Sequence, residues 1–123
     1  MADQRRPGRS AAKSASAEAH ARNMDLLRAA YDADLAGLIG ALEAGADVDT
    51  ADQETGLTAL HIAVGMNNLA MTQALAESWS ASFGPDRSGR WPTVIAAQCR
   101  VGDAMSDYIV SEEAAWLARN ESA

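Results

Sequence analysis

Gly56-Leu57-Thr58-Ala59-Leu60-His61-Ile62-Ala63-Val64 stands at the middle of the chain and decides how the rest is read. Leu26-Leu27-Arg28-Ala29-Ala30 lies ahead of it, and Gly89-Arg90-Trp91-Pro92-Thr93-Val94-Ile95-Ala96-Ala97 follows it. The step from Leu26 to Leu60 and the step from Gly56 to Gly89 agree to within one position, at roughly 33 residues. A fixed period in this range marks a solenoid, in which each helical pair leaves an apolar face that only the next pair covers. Function is then to be sought on a surface and not in a pocket.

Working outward, Asn23 is expected to cap a short helix over Met24–Ala30, and Asp34 a second over Leu35–Glu43. Leu38, Ile39 and Leu42 recur at the spacing of one buried face. Gly45 ends that helix, because glycine enters the left-handed region without penalty. Residues 46–56 are polar apart from Ala46, Val48, Ala51 and Gly56, and should project as a loop. Thr58 caps the next helix, with His61 in reach of its hydroxyl. After Asn67-Asn68 a partner helix is expected over Leu69–Glu77. A third unit follows through Phe83–Gly89, with helices near Pro92–Arg100 and Asp103–Val110. A separate capping helix, Glu112–Arg119, should lay Trp116 and Leu117 on the open end of the stack.

Written as Gly-x-Thr-x-Leu-His-x-Ala, helix, polar break, second helix and Gly-Ala-Asp, the unit resembles an ankyrin repeat. Gly45-Ala46-Asp47-Val48-Asp49 and Gly56–Ala63 carry the resemblance most strongly, and it covers about residues 23–112. It implies an all-α ankyrin-repeat solenoid of helix-turn-helix units with projecting loops. About three repeats and the capping helix would fill residues 23–123. The third repeat departs from the pattern: Trp91 replaces the capping Thr, Thr93 the buried Leu and Val94 the His. Ser78-Trp79-Ser80 stands where Gly-Ala-Asp belongs, which leaves the geometry of residues 78–93 open. Thr93→Leu should on this reading stabilise by roughly 1 kcal/mol through added apolar burial.

The composition allows one domain, with an Ala-rich core that buries little area per residue. Residues 1–22, rich in Ala, Ser and Arg, hold five basic residues against two acidic ones, a balance of +3. They contain no residue larger than Ala able to build an apolar face apart from Met1, and Pro7-Gly8 should interrupt an early helix. A disordered tail is expected in preference to a targeting peptide or a nucleic-acid or membrane arm. The remainder holds five basic and fifteen acidic residues, a balance of −10, which repels phosphate backbones. A single cysteine, Cys99, fits a reducing compartment, so a cytoplasmic location is expected. No apolar run approaches a membrane span.

His61 and Cys99 are the residues to consider for base and nucleophile. His61 is expected to serve its helix cap and Cys99 to be a small, partly exposed helix residue. Asp47, Asp49, Asp52 and Glu54 do not form a calcium loop, which needs Gly sixth and Glu twelfth where this chain has Asp52 and Thr58. Neither His20 nor His61 has partners at zinc-ligand spacing. Residues 84–89 lack the Lys and spacing of a phosphate loop. No metal or cofactor is expected.

In ankyrin proteins partners generally contact the loop tips and the exposed side of the first helices, which together line a concave face. The matching positions here are Glu54, Thr55 and Leu57 around the first Gly, and Arg87, Ser88 and Arg90 around the second. Gly65, Met66, Gln98 and Cys99 match on the helices, joined by Trp91 if it is exposed. Arg87, Arg90 and Trp91 together would make a hot spot for carboxylates. The resemblance implies a non-enzymatic protein-binding module whose acidic surface steers a partner with a basic patch. A dedicated inhibitor or immunity (antitoxin-like) protein is the alternative of the same class, a scaffold another, and a small enzyme using Cys99 the alternative of a different class. The exposed end of so short a stack offers a contact for weak homodimerisation.

Overall fold

The computed structural model describes residues 7–121, with side chains from residue 17 onward. Six helices follow in order: α1 (Pro7–Tyr31), α2 (Leu35–Glu43), α3 (Ala59–Gly65), α4 (Leu69–Gln73), α5 (Pro92–Cys99) and α6 (Asp103–Glu121). Among the described residues there is no strand, only one antiparallel bridge between Ala51 and Thr58. None of the helices is long and apolar enough to cross a membrane.

Helices pair within each unit, α1 with α2, α3 with α4 and α5 with α6, while α3 packs on both α1 and α5. The odd-numbered helices thus form one row. Leu26, Leu38, Leu60, Met71, Leu75, Met105 and Ile109 are all buried between the rows. Each unit therefore covers the apolar face of its neighbour, as a stacked-repeat pattern requires.

The joint inside each helical pair is built three times in the same way. Ala33, Asn67 and Arg100 take positive φ values of 57°, 57° and 53°. At each joint that residue donates to the carbonyl three back, and the next residue donates five back: Ala33 to Ala30 and Asp34 to Ala29, Asn67 to Val64 and Asn68 to Ala63, Arg100 to Ala97 and Val101 to Ala96. These bonds satisfy carbonyls that a helix end leaves free. The second helix then starts on a side-chain cap in the first two units. Asp34 Oδ1 accepts from Gly37 N at 3.0 Å and Asn68 Oδ1 from Met71 N at 3.2 Å.

The helix expected to run regularly to Glu77 instead widens into π-turns over Ala74–Ser78. The caps Asp34 and Asn68 stand one repeat apart, yet the left-handed residues that close these helices, Gly45 and Ser80, are separated by one position more. The surplus residue is taken up by the wider turn. Ala46 N reaches Ala41 O, five back, whereas Ala81 N reaches Leu75 O, six back. By Asp52 and Asp86 the surplus is gone, for these two are spaced as the caps are. Gly56 and Gly89, with φ values of 80° and 86°, stand closer by one further position. Ser80 takes the place of the missing Gly one position late.

Both ends correct the sequence expectation. Residues 7–22, expected as a disordered tail, continue α1 as helix, and residues 1–6 of that tail lie outside the described residues. Proline is tolerated in a first turn, where its absent N–H is not needed, and the Ala-rich run behind it has high helix propensity. Asn23 consequently lies inside α1 and caps nothing; its Oδ1 accepts from Asp47 N at 2.8 Å, tying α1 to the first loop. At the other end the expected capping helix is not separate, since Ser111-Glu112 contains no breaker and α6 runs through to Glu121. Trp116 turns back onto the repeat: its ring meets Trp91 edge-on, centroids 6.3 Å apart. Gly84 makes room for it, because a Cβ there would come within 3.1 Å of the indole.

Candidate functional site

Two fingers project beside the row of first helices, residues 52–57 and 86–90. Each is shaped by an aspartate at its base. Asp52 Oδ1 accepts from Glu54 N at 2.8 Å, and Asp86 Oδ1 accepts from Ser88 N and Arg90 N at 2.9 Å. The fingers are bonded to one another: Arg87 N donates to Gly56 O at 3.0 Å, Ser88 Oγ to Thr55 O at 3.5 Å and Arg90 Nη2 to Thr55 O at 2.8 Å. Thr55, Arg87, Ser88 and Arg90 are therefore brought together. The acidic run upstream is likewise committed to backbone amides, with Asp47 accepting from Asp49 N and Asp49 from Ser82 N, both through Oδ1.

His61 fixes the start of α3 against the second finger. Its Nε2 lies 3.0 Å from Arg90 O, a carbonyl that only accepts, so Nε2 carries the proton. Nδ1 then accepts from the Thr58 hydroxyl at 2.7 Å, while Thr58 Oγ1 accepts from His61 N at 3.4 Å. Burial holds the imidazole pKa below its ordinary value, against the opposing pull of Asp86. With both nitrogens engaged and the ring buried, His61 has no free nitrogen to act as a base for Cys99.

The third unit starts its helix by a different device. Trp91 occupies the cap position and offers no side-chain bond. Glu113, buried on α6, supplies the acceptors: Oε1 takes Thr93 N at 3.0 Å and Oε2 takes the Thr93 hydroxyl at 2.9 Å. Thr93 is therefore a hydrogen-bond donor here, and the apolar gain expected from Thr93→Leu is set against the loss of the hydroxyl bond, which leaves the buried Glu113 Oε2 without that donor.

Between α3, α5 and the fingers lies a hollow of about 220 Å³. It gathers Leu57, Met66, Arg90 and Gln98 from the expected face, with Gly65 and Cys99 at its rim. Met66 is 45 % exposed and gives the hollow its accessible apolar surface. The expected trio of Arg87, Arg90 and Trp91 is divided. Arg87 is exposed, whereas Arg90 Nε bonds the fully buried carboxylate of Asp86 at 2.8 Å, and Trp91 is half-buried against Trp116. Arg90→Ala would thus disturb the fingers as well as any partner, and a double substitution with Arg87 does not isolate binding.

Glu54 faces a second hollow, of about 410 Å³, between α1 and the first finger. Tyr31, which sequence reasoning passed over, lines both hollows. Its hydroxyl donates to Asp52 Oδ2 at 2.7 Å and lies 3.1 Å from Thr55 Oγ1. Burial raises the phenol pKa, and the bond from Tyr31 lowers that of Asp52. The repeat period pointed to Tyr31, which stands one repeat before Gly65, and to Asp86, one repeat after Asp52. Glu113 has no such signal.

The family model described as "Ankyrin repeats (many copies)" matches residues 15–76, half of the chain. A comparison with curated proteins returns no match. The third unit lies beyond the matched stretch, yet its left-handed joint and its finger repeat those of the second.

Proposed function

Because the chain belongs to the ankyrin repeat family, whose members generally act as protein–protein interaction modules, we propose that it is a non-enzymatic docking protein that holds a partner against its fingers and first helices. The hollow beside Met66 carries this reading. An exposed thioether and the half-buried Leu57 sit above Ile95, and Gln98 supplies a polar edge. Such a site accepts an apolar side chain, and methionine adapts its shape to what enters. Arg87 on one finger and Glu54 on the other give the two fingers opposite charges, which favours one orientation of the partner. The acidic balance of residues 23–123 favours a partner with a basic patch. The engagement of both His61 nitrogens supports a binding role for this face over catalysis by Cys99.

The test uses the full chain, tagged, as bait for cross-linked capture from its own host, followed by titration of the captured protein. Met66→Glu is expected to weaken that partner at least tenfold with an unchanged circular dichroism spectrum. Val110→Glu, on an exposed position of α6, is expected to leave it unaffected. Equal affinity for both variants and the parent would remove the partner from this face.

A further inference from the structure

The hollow between α1 and the first finger differs in chemistry from the one beside Met66. Part of its wall is apolar, with Met24 45 % and Tyr31 39 % exposed and Leu27 buried beneath, and His20 and Arg28 of α1 also line it. Carboxylates stand at its edge. Asp52 is already committed, its two oxygens accepting from the Tyr31 hydroxyl and from the amides of Glu54 and Thr55. Glu54 is exposed and forms no ion pair among the described residues. Arg28, the arginine of the lining, has its guanidinium 3.9 Å from the Asp25 carboxylate on its own helix and not on Glu54. An occupant that matches this surface is apolar along most of its length and cationic at its end.

We infer that this second hollow takes an arginine side chain of the partner protein, its stem on Met24 and the Tyr31 ring and its guanidinium on Glu54. Arginine meets the demands of the surface better than lysine. Its planar fork pairs with a carboxylate through two parallel bonds, and it stacks on an aromatic face. The hollow is within the range of roughly 300–1,000 Å³ in which pockets hold small ligands. Tyr31 forms the shared wall of the two hollows, so a partner segment would place an apolar side chain on one side of the ring and an arginine on the other. This rests on the docking reading and gives it a chemical signature: a basic residue close to an apolar one.

The test needs no partner. Two-dimensional amide spectra of the full chain are titrated with N-acetyl-arginine amide and, in parallel, with N-acetyl-citrulline amide, its uncharged isostere. Saturable shifts at Met24, Tyr31, Gln53 and Glu54 are expected with the arginine probe, and affinity at least fivefold weaker with the citrulline probe. Glu54→Gln is expected to abolish that preference while the rest of the spectrum stays in place. Equal response to both probes, shifts scattered over the acidic surface and unaltered by Glu54→Gln, or no saturable shift at all would each overturn the inference. None of these results bears on the Met66 hollow, whose test reads a different residue with a different ligand.

Discussion

The second and third repeats solve one problem, how to start a first helix, in two ways. In the second the solution is local: Thr58 caps from the position before α3, and His61, three residues on, completes the bond. In the third the cap position holds Trp91, which offers no bond, and the acceptors come from Glu113, twenty residues beyond Thr93 on α6. A local cap forms with its own helix, whereas a borrowed one exists only once the last helix has docked. The start of α5 therefore depends on the chain that follows it, and the start of α3 does not.

The sharpest way to break the contrast is Glu113→Ala. It leaves the Thr93 amide and hydroxyl without their acceptor, at an expected cost of about 2–3 kcal/mol, since bonds to a charged group are the strong ones. Urea denaturation followed at the indoles reads the loss. A change below about 0.5 kcal/mol, the lower end for an ordinary hydrogen bond, would show that water replaces the carboxylate at no cost. Next in size is Thr58→Ala, expected to cost about 1–2 kcal/mol in the same assay through loss of the local cap and of the His61 contact. A loss larger than that of Glu113→Ala would reverse the comparison. Thr93→Leu belongs with these and is expected to destabilise by about 1 kcal/mol, opposite in sign to the reading of the repeat pattern alone.

Acidification probes the second repeat specifically. The folded state holds the pKa of His61 below its ordinary 6.5, so the unfolded chain binds the proton first. The stability this histidine confers is complete above that value and declines as pH falls through and below it. Denaturant midpoints measured between neutrality and mild acid should fall in the parent chain and stay flatter in His61→Gln. The smallest expected effect sharpens the repeat itself. Ala33 and Arg100 hold a left-handed conformation that costs a side chain about 1 kcal/mol, so Ala33→Gly or Arg100→Gly should stabilise by up to that amount, read as a rise in Tm. Destabilisation would mean that the joint is not left-handed in solution.

This contrast also marks what could be read without coordinates. The period, the caps at Asp34 and Thr58, Gly45 as a terminator and the role of His61 each follow from neighbours close in sequence or from the repeat itself, where spacing speaks directly. The period also singled out Leu57, Met66, Arg90 and Gln98, but not that they line one hollow with Tyr31 and Ile95. Glu113 and Trp116 act across the fold on Thr93 and Trp91, and no local rule links them. The helical start at Pro7 was missed for another reason: lacking an apolar face, residues 7–22 gave no periodic signal, and Ala-rich propensity was left to act alone. Arg90 was misjudged as a free cation because Asp86, four residues before it, was not considered as its counter-ion.

The π-turn after α4 lets the two rows keep separate lengths. One residue is added where the outer helix ends, and the intervening finger is shortened until Trp91 stands to Thr58 as Gly89 stands to Gly56. The extra residue of the outer helix is thus not passed on to the opposite flank, where Asn67 to Arg100 spans one residue fewer than Ala33 to Asn67. The outer helices and the row of first helices can therefore change length independently from one repeat to the next.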